Sequence, residues 1–315
     1  MATSNSFDYS VTFTDVLTET LEQIGVIDNG ATIDAADVTS CRRTFNMMVK
    51  QWSGNFDFAP GLKAFSRKHC FLFLQKAQGV YTLGPSGDNA TLTYNTTTMR
   101  VAGISTATIL EVGSTSGMTA ADKIGIELDS GSIYWTTISS ITDGDTLVIP
   151  APGLSGASAI GRRIFAYTTK LMRPLYFEAM VIRDTDGNDS PVYPFTTYNY
   201  ENISVKTTEG TPTYYKYDNT LTDGTLYIDV TPDDVTKVLH GTFFVPAEDY
   251  DTSTDDIAFP QEWFLPLALG LAKLVDPKYG NQWNNSLEAN YQSALAIART
   301  SYAETTDLYF QPGLE

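Results

Sequence analysis

The stretch Asp255-Asp-Ile-Ala-Phe-Pro260-Gln-Glu-Trp-Phe-Leu-Pro-Leu-Ala-Leu-Gly270-Leu-Ala-Lys-Leu-Val-Asp-Pro-Lys-Tyr-Gly280 marks where β-patterned sequence gives way to helical spacing. Trp263, Leu267, Leu271 and Leu274 recur on one side of a helix beginning at Pro260, while Phe264, Ala268, Ala272 and Val275 cover another. A helix that is apolar on two sides is buried over most of its surface. Tyr279-Gly280 supplies its stop.

Working outward, helical spacing returns at both ends of the chain. A last helix over 282–305 places Leu287, Tyr291, Ala294, Leu295, Ala298 and Tyr302 on one stripe. Near the start, Thr14 can cap a helix carrying Leu17, Leu21 and Ile24 and stopped by Gly25. Asp34 caps a second helix with an apolar face of Val38, Cys41, Phe45, Met48, Val49 and Trp52. Residues 1–60 and 258–307 are therefore expected to pack as one helical domain, with Trp52, Trp263, Phe264, Leu267 and Leu271 as its scaffold.

Between these ends the period is two. Phe65, Arg67, His69, Phe71 and Phe73 alternate with Ser66, Lys68, Cys70, Leu72 and Leu74, and Gln78-Gly79 separates this strand from Val80 to Leu83. Short strands over 108–112, 123–128, 132–141, 146–149 and 163–167 are divided by turns at Asp129-Ser-Gly131 and Asp143-Gly-Asp145. Strands so short and closely spaced suggest a small β-barrel or sandwich, inserted over 89–168. Further strands are expected over 175–183, 191–195, 213–217, 225–230 and 237–245, with a hairpin turn from Asp184 to Asp189. The fold class is α+β: a helical domain from both chain ends, a central antiparallel β domain over 61–88 and 169–257, and the inserted module. Residues 308–315 form an extended apolar tail, and Leu308, Tyr309, Phe310 and Leu314 suit docking against another subunit.

At 315 residues, 42% apolar and 18% charged, the chain can bury a sizeable core. Its longest apolar run, Phe264 to Val275, is too short to span a bilayer, and the N-terminus lacks a basic and apolar leader. No membrane partner is expected, and synthesis in a cytoplasm follows. The net charge of −17 disfavours a protein that grips duplex phosphates. It suits solubility, or a channel past which DNA slides without sticking.

Chemical motifs are sparse. His69 and His240 lie in separate strand patterns, and no Gly-x-Ser-x-Gly elbow accompanies them. Cys41 and Cys70 sit among core-facing residues and read as buried thiols. Asp184-Thr-Asp-Gly-Asn-Asp189 has its glycine fourth rather than sixth, which fits a hairpin turn better than a calcium loop. Asp249, Asp251, Asp255 and Asp256 read as a solvated loop. Cations gather between Arg42 and Lys76, where Arg42, Arg43, Arg67 and Lys68 suit contacts to phosphate or to an acidic partner surface. Tyrosines 193, 198, 200, 214, 215 and 217 suit either carbohydrate or subunit packing. No catalytic constellation, cofactor motif or metal spacing is visible, so no enzyme activity and no cofactor are expected.

Four segments taken in order carry a family likeness. Asn46-Met-Met48 and Gln51-Trp-Ser53 lead to Val80-Tyr-Thr-Leu-Gly84; Arg173-Pro-Leu-Tyr-Phe-Glu-Ala179 leads to Pro191-Val-Tyr-Pro-Phe195; Gly210-Thr-Pro-Thr-Tyr-Tyr215 leads to Leu226-Tyr-Ile228; and Ile257-Ala-Phe-Pro-Gln-Glu-Trp263 runs on to Lys278-Tyr-Gly280. In these the chain resembles the head-to-tail adaptor, or connector and tail accessory, proteins of tailed and especially short-tailed bacteriophages. The module over 89–168 departs from minimal adaptors. The resemblance implies a structural virion protein at the head–tail interface, made in the host cytoplasm. It would form a homo-oligomeric, twelve-fold ring that joins the portal protein to tail nozzle or tail fibre proteins. Viral DNA would pass through the ring during ejection without sequence-specific binding. Two other classes remain open: a carbohydrate-binding or other tail-associated virion protein, and a hydrolase using paired carboxylates.

Overall fold

The computed structural model describes residues 8–54, 62, 65–280 and 282–300. It is a mixed α+β chain with several antiparallel sheets. Its described helices are α1 (Phe13–Gln23), α2 (Ala35–Gly54), α3 (Thr197–Glu201), α4 (Phe264–Tyr279) and α5 (Asn285–Thr300). Strands come in chain order as β1 (Arg67–Phe73), β2 (Val80–Leu83), β3 (Ala90–Thr91), β4 (Asn95–Thr98), β5 (Ile109–Glu111), β6 (Lys123–Glu127), β7 (Ile133–Thr137), β8 (Ser140–Ile141) and β9 (Thr146–Val148). They continue as β10 (Arg163–Tyr167), β11 (Phe177–Arg183), β12 (Asp189–Pro191), β13 (Tyr193–Pro194), β14 (Glu209–Gly210), β15 (Tyr214–Asp218), β16 (Gly224–Ile228), β17 (Thr231–Pro232) and β18 (Val238–Phe244). Two units divide the chain: residues 1–66 with 246–315, and residues 67–245.

In the helical unit, α1 starts earlier than Thr14, because Thr12 and Asp15 form a reciprocal capping box. Thr14 instead donates its hydroxyl to the Ser253 carbonyl. Gly25, at φ +66°, takes the left-handed turn that ends the helix. Asp34 accepts the Ala36 amide at 2.7 Å at the head of α2, as its position suggested. A 3-10 turn over Gln261–Trp263 precedes α4, and Gly280 at φ +107° closes it. The last helix begins at Asn285 rather than at residue 282. The amides of Gln282 and Trp283 go to the Asp276 carboxylate at 2.6 and 2.9 Å, and Asn284 accepts those of Ser286 and Leu287. Phe13, Leu17, Phe45, Trp263, Leu267 and Leu271 are among the buried side chains of a core drawn from both chain ends. Gly270 permits the close approach of α2 to α4: a methyl there would lie 3.0 Å from the Trp52 ring and 3.2 Å from Met48 Sδ.

In the β unit, a five-stranded antiparallel sheet runs β12-β11-β18-β1-β3. Its first and last long strands are neighbours, with Arg67 opposite Phe244 and Phe73 opposite Val238. The strand pattern read from Phe65 is real only from Arg67; Phe65 and Ser66 are helical. One face, with Cys70, Leu72, Met180, Ile182 and Phe243, packs on Tyr81, Tyr215 and Leu226 of a second sheet, β13-β15-β16-β2. The expected strand over 191–195 is split between these sheets. The Val192 amide still bonds to Met180, whereas the Tyr193 amide has switched to Thr213.

Residues 95–167 supply two further sheets, β4-β10-β6-β7 and β5-β9-β8, around a core that includes Met99, Leu110, Val112, Ile124, Ile126 and Leu147. No sheet closes into a barrel among the described residues. The single strand expected over 132–141 is two strands. After β7 the Ile138 amide bonds to Asp122 and the Ser139 amide to Val148, so the chain changes partner and sheet. An aromatic cluster joins this region to the five-stranded sheet, Phe73 lying 4.9 Å from Phe165 and 5.1 Å from Trp135 between ring centroids.

Candidate assembly and ligand surfaces

In the helical unit, Trp52, Trp263, Leu267 and Leu271 are buried, with the two indoles 5.7 Å apart. Phe264 is different: it sits at the rim, edge-on to the exposed Tyr9 at 6.1 Å. It lines a groove of about 540 Å³ with Tyr9, Val16, Glu19, Leu265 and Ala268. A second groove of about 270 Å³ lies between α4 and α5, lined by Leu265, Leu269, Ala294 and Ile297. Leu265 belongs to both. It is 52% exposed and Ile297 61%, so α4 is not buried all round: its Leu265 and Leu274 side chains meet solvent.

The basic residues have been divided. Arg42, Asn46 and Lys50 recur every fourth residue along α2 and together clamp the loop 247–251. Arg42 donates to the Asp251 carbonyl and Lys50 to that of Ala247, while Asn46 exchanges two hydrogen bonds with the Tyr250 backbone at 2.9 and 3.0 Å. Lys50 also pairs with Asp249 at 2.9 Å. Arg43, on the next face, is exposed. In the β unit, Arg67 pairs with Glu178 at 2.8 Å and stands 5.9 Å over the Phe244 ring, whereas Lys68 is exposed. Arg42 and Arg67 thus hold internal partners. The i, i+4, i+8 spacing on α2 was visible in the sequence, but its partner loop, some 200 residues away, was not.

The acidic turns are likewise internally engaged. The Thr252 hydroxyl and the Thr252 and Asp251 amides hold the Asp255 carboxyl below the usual carboxylate range. Asp184 accepts from the side chain and amide of Asn188 and from the amide of Asp186, and Arg183 pairs with Asp189 at 2.7 Å. Residues 184–189 are a hairpin turn with Gly187 at φ +88°. Among the described residues no three His, Cys, Asp or Glu side chains are grouped to hold a metal ion. No described helix is long and apolar enough to cross a membrane.

The two histidines, far apart in sequence, come together on one face of the five-stranded sheet. His69 lies opposite Thr242 and bonds its hydroxyl at 3.2 Å, and His240 lies opposite Phe71 with its ring edge-on at 4.8 Å. His240 Nε2 is buried without a partner among the described residues. Cys70 points to the other face, where burial pushes its thiol up to about 12, so it supplies no thiolate beside them. Burial also lowers the His240 imidazole below its ordinary 6.5, Arg183 adding to the shift and Asp189 opposing it. The unfolded chain therefore takes up this proton first. Stability of the β unit is expected to fall as pH drops below about 6.5 and to level off once the folded imidazole protonates. His240→Asn should remove that component, read as the difference between urea midpoints at pH 5 and pH 7; an unchanged difference would exclude His240 as its source.

Two surfaces of the β unit stand out. Residues 101–110 and 146–161 contain no charged side chain, and the structure brings them together. Gly103 and Ser158 exchange backbone hydrogen bonds at 2.8 and 2.9 Å, and Thr106 bonds to Leu154. Ile104 (73% exposed) and Ile160 (69%) project from this tip. The charges at its border satisfy one another: Arg100 pairs with Glu111 and Asp145, and Arg162 with Glu127 and Asp129. The second surface is an aromatic row, Tyr193, Tyr214 and Phe195, beside an open cavity of about 500 Å³. Leu308, Tyr309, Phe310 and Leu314 lie outside the described residues.

The chain matches no known protein-family model and no curated protein.

Proposed function

We propose that this chain is a structural connector: a head-to-tail adaptor that assembles as a ring on a phage portal and continues the DNA channel towards the tail. The observation that carries the reading is the pair of open grooves of the helical unit, in which Leu265 and Ile297 lie exposed between α1, α4 and α5 among polar side chains such as Asp15, Glu19 and Asn290. A ring needs two different complementary surfaces on each subunit. The grooves supply one, and the apolar tail with Leu308, Tyr309, Phe310 and Leu314 supplies another, docking on the portal or on a neighbour. On this reading residues 89–168 are an inserted small sandwich whose uncharged tip meets tail nozzle or fibre proteins. The acidic excess of −17 keeps passing DNA from sticking.

The test is electron microscopy of the purified protein alone and mixed with its portal, with Leu265→Asp beside the parent. Rings, or an added layer on the portal, are expected for the parent and not for the variant. Because Leu265 is half exposed, the variant should keep its helical signal and melt within a few degrees of the parent. A parent that stays monomeric with the portal present, or a variant that assembles equally well, would remove the reading.

A further inference from the structure

We infer that the cavity beside the aromatic row of the β unit is a binding site for a neutral oligosaccharide. The inference does not depend on ring assembly. Tyr193 on β13 and Tyr214 on β15 are exposed, with centroids 6.2 Å apart, and Phe195 extends the row at 5.8 Å from Tyr214. The row is backed by further rings, Phe195 to Tyr200 at 5.9 Å and Tyr200 to Tyr227 at 5.0 Å. Phe195 is therefore braced by packed rings and Tyr214 packs on Phe195, which limits the conformational freedom lost when a ligand lies on them.

The cavity wall adds polar groups of defined position. Asn199, Thr208 and Asp229 line it. Asp229 is held by Thr213, whose amide reaches one carboxylate oxygen at 3.0 Å and whose hydroxyl reaches the other at 2.7 Å. Each oxygen keeps acceptor capacity for a ligand hydroxyl. Ile203, Val205 and Val230 add apolar lining, suited to the methyl of an acetamido group.

Charge selects among ligands. The two lysines nearest the aromatic stack are engaged: Lys206 lies 4.9 Å over the Tyr200 ring and pairs with Glu201 at 3.7 Å, and Lys216 lies 4.5 Å over Tyr227 and pairs with Asp218 at 2.8 Å. The charged side chain in the lining is the anionic Asp229. A single-stranded nucleic acid would find stacking surfaces but, among the described residues that line the cavity, no cation for its phosphates. A pyranose offers a flat C–H face to the tyrosines and hydroxyls to Asp229 and Asn199 without bringing a negative charge.

The experiment titrates chitotetraose and maltotetraose into the full-length protein, with binding followed by calorimetry and by tyrosine fluorescence. Saturable binding of at least one sugar is expected, stronger for the acetamido sugar. Tyr193→Ala and Tyr214→Ala should each weaken it at least tenfold while leaving the melting temperature within a few degrees, since both side chains are exposed. Absence of saturable binding by both sugars would overturn the inference, as would binding that neither substitution weakens. Decaproline or a ten-nucleotide oligothymidylate displacing the sugar from this site with higher affinity would reassign the cleft to peptide or nucleic acid.

Discussion

Replacing Trp263 by alanine is expected to cost the helical unit about 3 kcal/mol, the lower end of the ~3–5 kcal/mol range for truncating a buried aromatic side chain. Its ring is fully buried against Trp52, and the two come from opposite ends of the sequence, so the cavity would open where the chain ends meet. The loss falls at the lower end because the indole N–H has no hydrogen-bond partner among the described residues. Removing it relieves a buried orphan donor worth roughly 1–3 kcal/mol. Trp263→Phe, which keeps a ring and drops the donor, should therefore cost less than half as much. Urea unfolding followed at 222 nm compares the three proteins. A Trp263→Ala midpoint equal to the parent's would mean that the Trp52–Trp263 contact is not what joins the ends.

The second large effect is expected at Gly153, where alanine should destabilise the sheets formed by residues 95–167 by about 2–4 kcal/mol. Two costs combine there. The backbone has φ +86°, a conformation that costs an L-residue about 1–2 kcal/mol. The added methyl would also sit 2.4 Å from the Thr106 carbonyl oxygen and 2.6 Å from that of Ala107. Both obstacles are backbone, so no side chain can swing aside, and relieving the overlap means separating 101–110 from 150–160. Hydrogen exchange should report this as faster exchange at Gly103, Ser158 and Leu154, whose amides hold the two segments together. Gly144, whose methyl would meet nothing within 4 Å, serves as the control. Equal exchange in the Gly153→Ala and Gly144→Ala proteins would show that the tip does not depend on this close approach.

Most elements were legible because their signals are local. The apolar faces of α2 and α4 and the alternation in β1 follow from period, and the stops at Gly25 and Gly280 from the positive φ that glycine adopts. What escaped was set by distant partners. Thr14 looked like a cap, but Asp15 pairs with Thr12, and Thr14 is drawn to Ser253. Continuous strand pattern over 132–141 and 191–195 concealed two places where the chain changes sheets, because period two does not say which neighbour a strand has. The surfaces divide in the same way. Tyrosine enrichment near residue 200 was visible, whereas the pairing that removes Lys206 and Lys216 from the pool of free cations was not. The basic cluster from Arg42 onward was visible too, but the clamp on residues 247–251 needed the fold to reveal it.

That clamp, and the Thr20 hydroxyl bonded to the Ala268 carbonyl 248 residues away, have a consequence for biosynthesis. At ribosomal rates of about 5–20 residues per second, α1 and α2 wait roughly 12–50 s for the segment that covers their apolar faces. The β unit can complete itself in that interval. Because Arg67 and Phe244 are paired across adjacent strands, its completion leaves the two exit points side by side and shortens the search between the helical halves to that of a small loop. The middle of the chain is therefore expected to fold before its two ends join.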